Sequence, residues 1–372
     1  MATPLFDELA RGDAVQRAES WRYSRNALRA LSQLDFAPAA ASAAPAAPLR
    51  AQYEWPQTQG HRLVFVNGRF VPALSDPPGP GCRIEQGADG CTLQLVAAGA
   101  LAHVVHVALP GAGATRWQAR LQLVASAPGT RLIEQHVAAE GADVLGVFDF
   151  DLALAERAGL ELVSLGDLPG NASLLRRTTA TLAREAQLHA THAVFGGRLQ
   201  RLELGVAIAG DRARLRSRGV FVLRGREHAD LQLDIGHAAR DSSCEVLWRG
   251  VADQRARGIF HGGITVEAGA DGTDAQLSNK NLLLSALAEI DTKPALVIHA
   301  DEVKAAHGAT VGQIDERALF YLRSRGITLA AARRMLVAAF CAEALAGIDD
   351  AGVREQLAQR AAAHLPAPEA GA

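Results

Sequence analysis

The chain has 372 residues, of which 49% are hydrophobic and 21% charged, with a formal net charge of −2. That length predicts two or three structural units or one large repetitive one, and the apolar share excludes a wholly disordered chain. Near-neutral charge argues against a nucleic-acid binder, and the absence of an 18-residue apolar run excludes a transmembrane helix.

Residues 1–90 read as a helical region followed by a linker and a hairpin. The opening, MATPLFDELARGDAV, lacks the basic-then-apolar order of a secretory signal. Leu28, Leu31 and Leu34 recur every three residues, an apolar helical stripe, and Trp21 and Tyr23 are read as packing anchors. Residues 37–48, APAAASAAPAAP, predict an extended linker in which proline blocks a helix. Asn67-Gly68 between two β-rich runs predicts a tight hairpin over Arg62–Pro72. Pro77, Pro78 and Pro80 among glycines predict a loop over 74–90.

Residues 91–314 change character. Short runs such as Leu202-Glu-Leu-Gly-Val-Ala-Ile208, Val220-Phe-Val-Leu223 and Leu231-Gln-Leu-Asp-Ile235 alternate with turn residues. Many alternate apolar and polar side chains with the period of two expected of half-buried strands. Between 202 and 266 the runs begin roughly every 12–15 residues, a spacing shared by sandwiches, barrels and solenoids. The near-absence of helix and of tight hairpin turns favours a right-handed parallel β-helix, in which each rung buries its inner face on the next. The fold class is therefore mainly β, with helical regions at both ends.

From 315 to 372 the period returns to helical. Asp315 and Glu316 stand at a helix start and Gly326 at its end, where the macrodipole and a left-handed C′ position favour them. Thr328 caps a second helix with Leu329, Ala332, Leu336, Ala339 and Phe340 at helical spacing, and residues 350–364 suggest a third. The tail from Pro366 is read as loose.

Chemistry is marked chiefly by absences. The only lysines are Lys280, Lys293 and Lys304, and none follows a glycine, so there is no phosphate-cradling P-loop. No HExxH helix, GxSxG elbow or GxGxxG turn occurs. Cys82, Cys91, Cys244 and Cys341 stand apart without a CxxC pair, which fits reduced thiols and a cytoplasmic location. Cys244 and Cys341 read as small core residues. His228, His237, His261 and His299 match no local ligand spacing and read as exposed or hydrogen-bonded histidines. The eleven arginines of residues 176–226 read as a solvated face rather than an anion site.

One stretch carries a specific likeness. Asn279-Lys-Asn-Leu-Leu-Leu-Ser285, Ala288-Glu-Ile-Asp-Thr-Lys-Pro294, His307-Gly-Ala-Thr-Val-Gly312 and Ala318-Leu-Phe-Tyr-Leu-Arg-Ser-Arg-Gly326 closely resemble the SufB/SufD family of iron–sulfur cluster assembly proteins. Weaker echoes lie at Trp21-Arg-Tyr23, Leu63–Pro72 and Arg224–His228, while residues 90–200 match poorly. SufB-like members carry a cysteine in the helix motif where this chain has Leu322, and a leucine can neither bind iron nor accept sulfur. The His-Gly-Ala-Thr-Val-Gly signature belongs to the family's SufD branch. Relatives of that branch often have Cys-Ser-His-Gly where this chain has Ala305-Ala306-His307-Gly308, so the cysteine is missing and the histidine is kept.

The resemblance implies a non-catalytic subunit that pairs with SufB through the end of the β-helix and binds the ATPase subunit SufC through its C-terminal helices. It implies no stably bound cofactor in this chain alone, but an iron–sulfur cluster held transiently in the complex, with His307 as candidate metal ligand at the SufB interface. From the residues alone, His307 reads as a histidine that hydrogen-bonds the loop; only with the resemblance do the two readings stand about even. Leu319, Phe320, Tyr321, Leu322, Arg323, Arg325 and Gly326 are the candidate partner-binding residues, with core packing as the bland alternative. Neither nucleic acid nor membrane is an expected partner; a homodimer of the isolated chain is left open as an alternative. The rivals are a self-associating β-helix scaffold and a carbohydrate-active β-helix enzyme. The second would want paired carboxylates and aromatic platforms in a chain that is only 5% aromatic.

Overall fold

The computed structural model describes residues 19–39, 47–55, 58, 61–87 and 90–365. The core is a parallel β-solenoid of about eight turns, with helices at both ends of the chain. Each turn contributes one strand to each of two ten-stranded sheets, so strands alternate between sheets along the chain. The first sheet runs from the hairpin Cys82–Gly87 and Gly90–Leu95 to Glu289–Ile298; the second runs from Arg62–Val66 and Arg69–Phe70 to Lys304–Gly312. Neighbouring strands within a sheet are one turn apart, as in Arg214 over Gln187 and Asp274 over Ser243. The run spacing in the sequence thus corresponds to half a turn.

Period-two alternation builds the interior. In Leu199–Ile208, Leu202, Leu204, Val206 and Ile208 are buried while Glu203, Gly205 and Ala207 are not. The continuous apolar run Val220-Phe-Val-Leu223 has a different cause. Phe221 and Leu223 join the interior, whereas Val220 and Val222 join a second cluster beneath the C-terminal helices. Strands covered on both faces lose the polar alternation.

The corners explain why no hairpin signal separates the strands. Arg157, Glu185, Arg212 and Asp241 occupy the left-handed region, with φ of 59°, 58°, 59° and 54°. Each is followed by a small buried residue, Ala158, Ala186, Ala213 or Ser242. The amide of each donates to a carbonyl of the next turn: Arg157 N to Arg184 O, Glu185 N to Asp211 O, Arg212 N to Arg240 O and Asp241 N to Asp271 O, at 2.9–3.0 Å. Left-handed backbone costs a side-chain-bearing residue about 1–2 kcal/mol; the stacked hydrogen bonds oppose that cost.

Helix α1 (Arg25–Ser32) sets Leu28 and Leu31 against Val147, Leu175 and Leu199 on the outer face of the first sheet. Trp21 is fully buried beside it, with the Arg201 guanidinium 3.9 Å from its ring centre, so the anchor reading of Trp21 holds. Asn67-Gly68 forms the expected hairpin turn, with φ of 46° and 79° and Phe65 paired to Phe70. Two expectations need correction. Helix α2 (Ala47–Tyr53) begins inside the Ala/Pro stretch, with Pro48 in its first turn, where a missing amide costs nothing; residues 40–46 lie outside the described set. Residues 82–87 are not loop but strand, paired antiparallel with 90–95, and Cys82 and Cys91 are buried there.

The C-terminal helices are α3 (Glu316–Ser324), α4 (Leu329–Leu345) and α5 (Ala351–His364). Asp315, Thr328 and Asp350 cap them by accepting from Arg317 N, Ala331 N, and Gly352 and Val353 N. The buried face of α4 is Ala332, Val337, Cys341, Ala344 and Leu345. Only Ala332 of the expected stripe is fully buried, because the helix packs against a sheet on one side and α5 on another. Arg249 with Glu343, Arg131 with Asp350, and Arg360 and His364 with Asp167 tie α4 and α5 to the second sheet.

Candidate functional site

Among the described residues, the solenoid ends at two strands that have a hydrogen-bonded neighbour on one side only. Glu289–Ile298 pairs with Arg257–Val266, and Lys304–Gly312 pairs with Asp274–Leu283. Pro294 fits this position, since a residue without an amide donor is tolerated at a sheet edge. Leu287, Val297, Ile298 and Val311 are exposed there, Leu287 at 65%. An open parallel edge carrying apolar side chains is a template for another chain.

His307 lies on this last strand, opposite Leu277 of the preceding turn, and is exposed. It is mid-strand rather than in a loop, and its imidazole has no hydrogen-bond partner among the described residues. Ala305, at the place of the family cysteine, is half-buried two residues earlier on the same strand.

Helix α3 follows the last strand after three residues, 313–315. Leu319 is its one buried residue and faces inward, which answers the packing requirement. Phe320 and Tyr321 are 75% and 58% exposed, Arg323 and Arg325 are exposed, and Leu322 is half-buried. The Arg325 guanidinium stands 5.3 Å over the Tyr321 ring, and Gly326 closes the helix at a φ of 85°. An aromatic pair with arginine, held out on a capped helix, has the composition of interface anchors.

The remaining histidines separate. His228 is buried and bonded to Ser24 Oγ at 3.0 Å, and His237 to Ser242 Oγ at 2.8 Å; burial pushes both pKa values down to about 4. His261 is half-buried and His299 exposed. All four cysteines are free and buried, and burial raises the Cys244 and Cys341 thiols to about 12, far from a reactive thiolate.

The arginine-rich stretch is only partly a solvated face. Arg176 and Arg201 are buried, paired with Glu134 and with Asp230 and Glu203, while Arg184 and Arg212 pair at the corners with Glu156 and Glu185. A groove of about 590 Å³ beside Tyr23 includes Arg177, Asp234, His261 and Lys293, with both signs of charge.

Sequence reading missed one donor group: His106, Glu134 and His136, inside the solenoid. The signal was register, because His106 and His136 occupy inward positions one turn apart.

Comparison with known proteins agrees with this architecture. The model of the SUF system FeS cluster assembly SufBD core domain matches residues 112–340. The iron–sulfur cluster assembly protein SufD of Escherichia coli is 30% identical over 336 residues, covering 82% of this chain and 79% of that protein. SufD of Bacillus subtilis is 36% identical over 138 residues, 37% of this chain and 32% of that one. A SufBD family protein of Synechocystis is 32% identical over 190 residues, 51% of this chain and 42% of its own length. The matched core spans the solenoid from Thr115–Ala125 onward, the last strand with His307 and the exposed helix α3, and on this ground the chain belongs to the SufB/SufD family of iron–sulfur cluster assembly proteins.

Proposed function

We propose that the chain is a non-catalytic subunit of the SUF assembly complex, pairing with SufB through the last solenoid turn and binding SufC through α3. One observation carries the reading: an open, apolar parallel edge bearing His307 lies three residues in sequence from a helix that exposes Phe320 and Tyr321. A sheet edge suits a partner of the same fold, since strand addition satisfies amides and carbonyls on both sides. An exposed aromatic helix suits a globular partner with a groove. Lacking a P-loop lysine of its own, the chain depends on SufC for ATP. His307 supplies an imidazole toward the SufB side, a ligand type competent for iron, and the cluster is cargo shared at the junction.

The test is co-expression with SufB and SufC, followed by purification and anaerobic cluster reconstitution. The expected result is a three-protein complex. Phe320→Glu loses SufC while keeping SufB. His307→Ala keeps both partners but lowers cluster yield several-fold. The purified chain alone hydrolyses no ATP. Recovery of the chain only as a homodimer beside both partners, or ATP turnover that survives their rigorous removal, would overturn the reading.

A further inference from the structure

His106, Glu134 and His136 are buried inside the solenoid, on strands Leu101–Ala108 and Thr130–Ala138 of the second sheet. Glu134 and His136 are two residues apart and point to the same inward side, and His106 pairs directly with His136 in the next turn. One donor atom from each of the three lies within 4.8 Å of the others. All three residues are 0–2% exposed.

Their hydrogen bonding is incomplete. His136 Nε2 meets Glu134 Oε1 at 2.8 Å, but His136 Nδ1 and both nitrogens of His106 have no partner among the described residues. An unsatisfied buried polar group costs about 1–3 kcal/mol, and a buried imidazole with two idle nitrogens calls for an occupant. The surroundings are shaped around it. His106 stacks on His136 at 4.6 Å and on Trp117 at 6.0 Å, with Phe65 and Phe148 against its ring. These contacts fix the imidazoles and keep water away.

Burial holds His106 and His136 neutral, and Arg176 with His136 keeps Glu134 ionised against its own burial. Arg176 reaches across from the first sheet and donates through Nε to Oε1 at 3.3 Å and through Nη2 to Oε2 at 2.5 Å. Its Nη1 lies 3.5 Å from His192 Nδ1, beside a cavity of about 20 Å³. A metal can take Oε1 while Arg176 keeps Oε2, the usual arrangement of a ligating carboxylate held by an outer partner.

We propose that His106, Glu134 and His136 form a structural site for one divalent transition-metal ion of the zinc class, loaded as the solenoid folds around it. Two imidazoles and a carboxylate suit such an ion at ligand distances of about 2.0–2.2 Å, which rotation of the side chains within the triangle must supply. Loading during folding follows from burial, because all three side chains are 0–2% exposed in the folded solenoid. Arg176 acts as the outer partner that holds Oε2 and orients the carboxylate, so Arg176→Met weakens binding about tenfold or more.

The experiment unfolds the full chain, strips metal with a chelator, and refolds it with cobalt(II) alone as the probe. The expected result is one cobalt per chain after exhaustive dialysis, with visible ligand-field absorption that free cobalt(II) in the same buffer does not show. The thermal midpoint rises by about 4 °C at a hundredfold excess over Kd. His106→Phe keeps the ring stack and loses the cobalt and the midpoint shift. Glu134→Gln, as a second variant should the first fail to fold, loses at least tenfold in affinity. A refolded wild type without stoichiometric cobalt, or variants that bind it equally well, would overturn the proposal.

Discussion

The middle of the solenoid and its last turn are built from the same alternating strands, yet they treat their side chains oppositely. In Leu199–Ile208 every other residue disappears into a core flanked by turns on both sides. In Lys304–Gly312 no residue is fully buried. The difference is the missing next turn. A strand in mid-stack has both backbone edges satisfied and its inner face covered; the terminal strand presents one edge and half its side chains to whatever comes next. Stability therefore belongs to the middle, and the proposed function assigns recognition to the end; substitutions should separate the two.

The largest stability effect belongs to the middle. Phe148 is fully buried and touches His106, His136 and Phe150. Phe148→Ala removes an aromatic ring from a stack that cannot collapse without breaking register between turns. The expected loss is about 3–5 kcal/mol in denaturant unfolding. A loss under 1 kcal/mol would mean that the turns behave independently.

Acid is the next most effective way to loosen the middle while sparing the end. Burial pushes the pKa of His103 and of His192 down to about 3. The folded state keeps these imidazoles neutral, whereas the unfolded chain takes up protons as pH falls through about 6.5. Stability is therefore intact at pH 7 and falls as pH drops from 6.5 toward 3. By pH 5 each of the two withdraws about 2 kcal/mol. Glu134, held ionised in the fold, adds a loss of the same sign below its ordinary range. Urea midpoints at pH 7 and pH 5 test this; equal midpoints would contradict neutral buried histidines.

A smaller effect is expected where the helices meet the solenoid. Asp350 accepts from Gly352 N at 2.9 Å and Val353 N at 3.1 Å, and from Arg131 Nη1 at 3.1 Å on its other oxygen. Asp350→Ala removes the cap of α5 together with a tie to the second sheet, for about 1–2 kcal/mol. Asp350→Asn, which keeps the cap and weakens the tie, should recover most of it.

What the sequence made legible follows the same division. Leu202, Leu204, Val206 and Ile208 disclosed their strand because alternation is a local property. Asp315 and Thr328 disclosed helix starts because caps are local too. The corners stayed hidden, since Arg157, Glu185 and Arg212 occupy a conformation usually signalled by glycine or asparagine. The buried ion pairs of Arg176 and Arg201 were hidden for another reason: their partners, Glu134 and Asp230, are 42 and 29 residues away. The roles of His307 and of α3 were reached by resemblance, and nothing in the spacing around His307 distinguishes an exposed terminal strand from a buried one.

The smallest stability effect, and the sharpest test of the division, lies at Val311. It is 41% exposed on the terminal strand, with a neighbour on one side only. Lysine on an open edge is a common natural device against strand pairing, because its charge must be desolvated when another strand docks. Val311→Lys should leave unfolding within about 0.5 kcal/mol of the parent, as surface changes usually do. The same substitution should weaken capture of SufB at least tenfold while leaving capture of SufC, through Phe320 and Tyr321, unchanged. Loss of both partners together would mean that the last strand and α3 act as one surface. Loss of neither would move the pairing face away from the solenoid's end.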